Sequence, residues 1–322
     1  MTAAASAPLI LAIPSKGRLK EQAEDWLADC GLPLRQAGGA RAYTAKLEGL
    51  ADVEVRLVSA AEIASGLFAG EVHLGVTGED LLRELSHDLD GRVMLVQALG
   101  FGRADLVVAA PKSWIDVDTM ADVDEVAHLF LARTGRRLRV ATKYLTQTRA
   151  FFARHGVIDY RIVESGGATE GAPAAGAAEL VADITSSGAT LAANGLKVLS
   201  DGLILASQAQ LAASLAASWD EPRLAAARRL ARILEARARA RRTATLAWPA
   251  ELDAAARAAL AAFLANGAKP RPFGVLVGSD EVFAAAGALA ECGVGPVTVT
   301  HPAFVFEAAS EAIEALAARL AG

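Results

Sequence analysis

Glu164-Ser-Gly-Gly-Ala-Thr-Glu170-Gly-Ala-Pro-Ala-Ala-Gly176-Ala-Ala-Glu-Leu-Val-Ala-Asp183-Ile-Thr-Ser-Ser187-Gly188-Ala-Thr190-Leu191 is the stretch on which the reading of this chain turns. A strand pattern, Tyr160-Arg-Ile-Val163, feeds it. It closes with an acidic residue, a short apolar step and hydroxyls interleaved with glycine. Such a loop can wrap a sugar phosphate. Glycine lets the backbone approach the anion and present N–H groups, Ser186, Ser187 and Thr190 add hydroxyl donors, and Asp183 can accept from a ribose hydroxyl. Ordinary turns use the same residues, so the segments around the loop carry the weight.

Upstream, Leu9–Ile13 reads as a short buried strand followed by Pro14-Ser-Lys16-Gly17-Arg18 and a helical pattern through Cys30. Val53–Val58 alternates as a strand, Ala60–Ala69 reads as a helix and Val72–Val76 as a strand. Thr77-Gly-Glu-Asp80 then opens a helix. Asp105–Ala110 and Arg139–Thr142 continue the series, and Lys197–Ile204 reads as a further strand after the loop. Strands alternating with helices predict an α/β fold with a mainly parallel sheet, with ligands bound at the carboxyl ends of strands. No internal repeat is visible in the sequence. From Arg223 to Arg242 a basic amphipathic helix follows, read as a solvated face or subunit contact rather than a nucleic-acid surface. The tail then reads as an α+β domain with strands at Thr243–Trp248 and Val297–Thr300. Only one strand, Phe273–Val277, stands between its two main helices.

The chain has 322 residues, 53% of them hydrophobic and 21% charged, which excludes disorder as the dominant state. A net charge of −5 gives no global attraction to nucleic acid, so an anionic substrate needs a local basic site. Lys16-Gly17-Arg18 is one candidate, with Arg41, Lys143 and Arg149 near other predicted element ends. Glu79 and Asp80 read either as a carboxylate pair or as a favourable helix first turn. Cys30 and Cys292 fit no metal spacing, and His73 has no partner at ligand spacing, so no metal site is assigned. Neither a signal-peptide pattern nor an apolar run of membrane-spanning length is found, and the expected location is the cytoplasm. Hydrolase elbow, P-loop and dinucleotide motifs are absent; Gly100-Phe-Gly102-Arg103 does not qualify, since a strand follows it.

These residues together resemble the ATP phosphoribosyltransferase family, which opens histidine biosynthesis. The family pattern has Glu, five residues, Gly, a small residue, an aliphatic-x-Asp step and Ser/Thr-Gly-x-Thr-Leu. Here it is met by Glu170, Gly176, Ala178, Val181, Asp183, Ile184, Ser187, Gly188, Thr190 and Leu191. Supporting matches are Ser15–Arg18, Leu74–Asp80, Gly100–Arg103, Val140–Tyr144 and Ala193–Leu196. Where family members often show Arg-Asp-Ile-Pro, this chain has Ala61-Glu-Ile-Ala64, so no contact is carried over there.

The resemblance implies a two-lobed α/β catalytic unit of the type II periplasmic-binding-protein kind plus a small C-terminal α+β domain of ferredoxin or ACT type. It places the first lobe at 1–101 with 192–222, the second at 102–191, and the tail domain at 223–322. It implies transfer of the phosphoribosyl group of 5-phosphoribosyl 1-pyrophosphate to N1 of ATP, with Mg²⁺ carried by the substrate phosphates. The implied leaving-group cations are Lys16, Arg18 and Arg41. Substrate contacts are implied for Gly17, Glu79, Asp80, Lys143, Tyr144, Glu170, Asp183, Ser186, Ser187, Gly188, Ala189, Thr190 and Leu191. A homo-oligomer is expected. Long-form members bind histidine as inhibitor through a βαββαβ tail, whereas short forms depend on a regulatory subunit resembling histidyl-tRNA synthetase. The alternatives are a ligand-binding protein on the same two-lobed fold, or a regulatory paralogue without turnover.

Overall fold

The computed structural model describes residues 7–36, 43–86 and 88–321. The first part of the chain makes β1 (Leu9–Pro14), α1 (Gly17–Asp29), β2 (Leu34–Gln36), β3 (Thr44–Leu47), β4 (Leu50–Val58), α2 (Ala60–Ala69), β5 (Leu74–Gly78), α3 (Glu79–Leu85) and β6 (Val93–Ala98). Next come β7 (Ala104–Pro111), α4 (Met120–Thr134), β8 (Leu138–Thr142), α5 (Leu145–Arg154), β9 (Tyr160–Glu164), β10 (Leu180–Thr185), α6 (Ala189–Ala193) and β11 (Leu196–Ser207). β12 (Ala209–Ser214) and α7 (Glu221–Ala240) lead to the tail.

Two sheets result, and they share one plan. In the first, β4, β1 and β5 run parallel, antiparallel β12 follows, and β6 lies beyond it; β3 and β2 extend the other edge. In the second, β9, β8 and β10 run parallel, β7 follows antiparallel to β10, and β11 pairs antiparallel with β7. Each sheet thus receives its antiparallel fourth strand by a crossing from the other lobe. The repeat lies in topology, which tolerates any sequence that keeps the buried faces apolar. Central β1 is buried almost throughout, whereas β4 nearer the edge alternates.

The crossings run side by side. Gly100 N–H donates to Gln208 Oε1 at 3.0 Å, Ala209 N–H to the Phe101 carbonyl at 3.0 Å, and Leu99 N–H to the Ala209 carbonyl at 3.0 Å. Gly102 sits here at φ +62°, where a Cβ would come within 2.9 Å of Leu19 and 3.2 Å of Ala209. Only glycine satisfies both the backbone angle and the close approach.

The sequence-based lobe assignment changes at β11. Residues 196–207 pair with β7 in the second sheet, and the chain re-enters the first sheet only at β12. The tail boundary shifts as well. Ala226, Ala227, Leu230, Ala231 and Leu234 of α7 belong to the first-lobe core, joined by Ile313 and Leu316 of the final helix. Between them lies a separate unit: β13 (Thr243–Ala247), α8 (Ala254–Ala265), β14 (Lys269–Arg271), β15 (Gly274–Gly278), α9 (Val282–Glu291) and β16 (Thr298–Thr300), with α10 (Glu311–Ala321) returning to the first lobe. Its antiparallel order is β14-β15-β13-β16. This is a complete βαββαβ sheet of ferredoxin type. The strand that sequence reading lacks is β14, Lys-Pro-Arg, exposed at all three positions, so it carries no apolar pattern to read.

Much of the basic run of α7 is paired within the molecule. Arg229 pairs with Asp52, Arg237 and Arg241 with Asp29, and Arg228 with Glu221 and Glu314. These pairs tie the helix to the first lobe and to α10.

The lobes are joined by a carboxylate. At its N-cap, Tyr144, α5 lacks a side-chain hydrogen bond. Instead Glu84, on α3 of the first lobe, accepts from the N–H groups of Thr146 at 2.8 Å and Gln147 at 3.2 Å. It thus satisfies two orphan donors at the positive end of a helix in the other lobe. Replacing Glu84 by Ala should lower stability by about 1–2 kcal/mol, by analogy with loss of a helix cap. Urea denaturation would measure this, and Glu84→Gln should recover part of the loss.

His73 makes a second fastening. Its buried ring accepts from Ile10 N–H at Nδ1 (3.2 Å) and faces the Ser218 carbonyl through Nε2 (3.2 Å), edge-on to Trp219. A carbonyl can only accept, so Nε2 carries the proton and the ring is neutral. Burial is the main cause that holds its pKa below the ordinary 6.5; Arg223 and Arg56 act in the same direction, while the Ser218 carbonyl and Asp220 oppose. The unfolded chain therefore takes up this proton first. The stabilisation is complete above the unfolded pKa of about 6.5 and is lost as pH falls toward the folded value. Denaturation midpoints should drop between pH 7 and pH 5, and His73→Asn should flatten that drop.

Candidate functional site

A cavity of ≈ 560 Å³ lies between the lobes. The first lobe contributes Arg18 and Gln22 of α1, with Gly78 and Asp80 where β5 meets α3. The crossing contributes Gly100 to Arg103, and the second lobe contributes Tyr144, Ile184 and Ser186. Its walls are therefore the carboxyl ends of strands, as sheet topology predicts.

Asp80 is the node at the back of this space. Its Oδ2 accepts from the Tyr144 hydroxyl at 2.8 Å and its Oδ1 from the Ser207 hydroxyl at 2.9 Å. Its own carbonyl accepts from Gln147 Nε2 at 2.9 Å. Burial pushes the Tyr144 hydroxyl far above its ordinary pKa, and the charge and hydrogen bond of Asp80 push it further. Tyr144 is thus a fixed donor across the neutral range. Glu79 does not line the cavity; its carboxylate is held by Arg83 at 2.7 Å and Gln210 at 2.8 Å. Of the two sequence readings of Glu79–Asp80, a joint catalytic pair does not form: one carboxylate faces the cleft and its neighbour steadies α3.

The signature loop runs from the end of β10 into α6. Gly188, at φ +73°, is the N-cap of α6, and its N–H donates to Thr185 Oγ1 at 2.8 Å. That left-handed residue reverses the chain after Ser187. Ser186 Oγ donates to the Arg103 carbonyl at 3.2 Å, tying the loop to the crossing. Ser187, Ala189 and Thr190 are exposed, whereas Leu191 is buried among Val107, Ala109, Ala141 and Leu196. Leu191 therefore anchors α6 to the core.

At the base of the loop Asp183 is buried and accepts from Ile184 N–H at 2.9 Å. Burial is the largest cause that raises its pKa above the ordinary value; the nearby Glu170 adds to the rise, and Lys143 with the Ile184 N–H opposes it. Asp183, Glu170 and Lys143 thus form one electrostatic group.

Facing the loop, Arg18 and Arg103 have no side-chain hydrogen bond or ion pair among the described residues. Lys16 and Gly17 precede them at the start of α1 but do not line the cavity, and the charge of Lys16 reaches Glu62. Arg41 lies outside the described residues. Sequence reading missed Arg103, Glu84, Ser207 and Gln147 as site builders. A signal existed only for Arg103, in Gly-Phe-Gly-Arg directly before a strand. The other three act across the lobe boundary, which no local pattern encodes. Chemically, the site offers open cations on one wall, hydroxyl and N–H donors on the other, and carboxylates between them. It suits a sugar bearing anionic groups at both ends.

Comparison with known proteins agrees. The family model for HisG, ATP phosphoribosyltransferase, matches residues 59–236. The ATP phosphoribosyltransferase of Caulobacter vibrioides (strain NA1000 / CB15N) is 67% identical over 315 residues, 98% of each chain. That of Bradyrhizobium sp. (strain ORS 278) is 60% identical over 235 residues, covering 73% of this chain and 72% of the relative. Among solved structures, an ATP phosphoribosyl transferase (HisG:HisZ) complex from Thermotoga maritima aligns with a TM-score of 0.49 and 25% identity, over 64% of this chain and 86% of that one. With its signature intact and its likeness to a relative running over nearly its whole length, this chain belongs to the ATP phosphoribosyltransferase family.

Proposed function

We propose that the protein transfers the 5-phosphoribosyl group of 5-phosphoribosyl 1-pyrophosphate to N1 of the adenine of ATP, releasing pyrophosphate, as the first step of histidine biosynthesis. The observation that carries this is the 67% identity to an ATP phosphoribosyltransferase over 98% of the chain. Adenine N1 supplies the electron pair for the new bond to the anomeric carbon, and the C–O bond to pyrophosphate breaks with its pair on the leaving oxygen. Charge grows on the pyrophosphate and on an oxocarbenium-like ribose, so positioning and fixed charge supply the rate enhancement.

In this reading Ser186–Thr190 takes the 5-phosphate, with Asp183 and Glu170 on the ribose hydroxyls. Arg18, joined by Arg103, Lys16 and Arg41, receives the pyrophosphate. Asp80 and Tyr144 hold the lobes at the separation the substrates need, and Lys143 balances the carboxylates. Mg²⁺ would enter on the substrate phosphates. The hard oxygen donors of Asp183 and Glu170 fit such an ion, which would offset charge on the leaving group. A biosynthetic role of this kind belongs to the cytoplasm.

The tail bears on regulation. Its complete βαββαβ order supports the long-form reading, with histidine as feedback inhibitor and a homo-oligomer as the working unit. A truncation near Trp219 would be a poor test, because it removes α7 and α10 from the first-lobe core. Histidine titration of the full chain serves instead: activity unaffected by histidine would reject the feedback role and favour dependence on a regulatory subunit.

Pyrophosphate should appear only when ATP and 5-phosphoribosyl 1-pyrophosphate are both present. If none appears, the non-catalytic ligand-binding reading gains. Arg18→Ala and Arg103→Ala should each lower kcat roughly 10²–10³-fold with the fold intact. Because ionised Asp183 is the stronger acceptor for ribose hydroxyls and burial raises its pKa, activity should fall on the acid side above the usual aspartate range. That limb should vanish, at lower overall rate, in Asp183→Asn.

A further inference from the structure

The cleft is not the largest cavity in the molecule. One of ≈ 950 Å³ lies where the first lobe meets the C-terminal half of α7 and the tail. Its size suits a nucleotide-scale ligand. Among its lining residues Asp29, Glu235 and Glu307 are all engaged: Asp29 by Arg237 and Arg241, Glu235 by Ser310 and Arg239, and Glu307 by Lys269. Donors remain. Arg242 has no side-chain partner among the described residues, and Arg241, more than half exposed, has a single ion pair, to Asp29. Each guanidinium carries five N–H donors. Among the described residues, the one lining carboxylate without a side-chain partner, Glu311, sits in the first turn of α10, where the helix dipole favours its charge.

The same cavity touches the cleft. Gly100 lines both spaces. Trp26, on the wall of the larger one, packs against Phe101 on the wall of the cleft with ring centroids 6.3 Å apart. The shared segment is the crossing that joins the lobes.

We propose that this cavity is a second binding site, for a small anion carrying more than one phosphate, held by Arg241 and Arg242, and that its occupancy is transmitted to the cleft through Trp26, Phe101 and Gly100. Guanidinium forks favour phosphate oxygens, and two consecutive arginines with open donors match a ligand with several of them. Binding here stands apart from the proposed reaction and can be read without turnover.

The test is calorimetric titration of the full chain with inorganic tripolyphosphate. An Arg18→Ala/Arg103→Ala chain, with its cleft cations removed, should still bind one equivalent. Adding Arg242→Glu should weaken that binding by about tenfold or more, the effect of one charge-assisted contact. Arg241→Gln provides a second variant should the charge reversal disturb folding. A nucleoside triphosphate binding more tightly than tripolyphosphate would identify a nucleotide ligand, and equal affinity an inorganic one. At saturating 5-phosphoribosyl 1-pyrophosphate, where the cleft is filled, inhibition by tripolyphosphate should persist in the native chain and be absent in Arg242→Glu, whose basal rate should be unchanged. Absence of binding to the cleft-disabled chain, or binding that neither arginine variant weakens, would overturn the site. Inhibition relieved completely by substrate would overturn the coupling.

Discussion

Everything in the catalytic unit depends on holding two separately cored lobes at one separation, and two carboxylates of α3 do this. Asp80 takes the Tyr144 and Ser207 hydroxyls, and Glu84 takes the first free N–H groups of α5. These contacts are short and charged, and the Asp80 pair is buried, so they act in a medium where electrostatics is stronger than in water. The paired crossings at Leu99–Arg103 and Gln208 add a hydrogen-bonded hinge. A lobe shift of a few ångströms would break both carboxylate contacts together. Arg18 and Ser186 would then no longer line one cavity.

An acidic chain that binds anions must gather positive potential locally. Here Arg18 and Arg103 supply it from one wall of the cleft. Most arginines of α7 face carboxylates, and their pairs dock the helix to its neighbours. Arg18 and Arg103 in the cleft, and Arg242 behind it, have no such partner among the described residues. Exposed pairs contribute little to stability individually, so what distinguishes α7 is the apolar face beneath them, Ala226 to Leu234, sealed into the first lobe.

The tail shows how one polypeptide can serve two units. α7 and α10 are structural parts of the first lobe, while the four-stranded sheet between them has its own core of Leu246, Leu260, Val275, Val277 and Leu289. These two helices link that sheet to the first lobe, and their junction with it is where the large cavity opens.

The sequence by itself determined the α/β class, the turn at Gly188 and, through the signature from Glu170 to Leu191, the family. Each rests on local spacing: glycine where the chain reverses, acids at a fixed offset, apolar alternation along strands. It misassigned β11, because a strand's pattern shows that one face is buried and is silent on which sheet receives it. It missed β14, whose three exposed residues carry no pattern at all. Only the tertiary structure decided that Leu191 serves the core, that Glu79 steadies α3 instead of facing the cleft, and that Glu84 caps a helix in the other lobe. Hydrogen bonds between residues some sixty positions apart leave no periodicity in the chain; they exist only once two cores have formed and met.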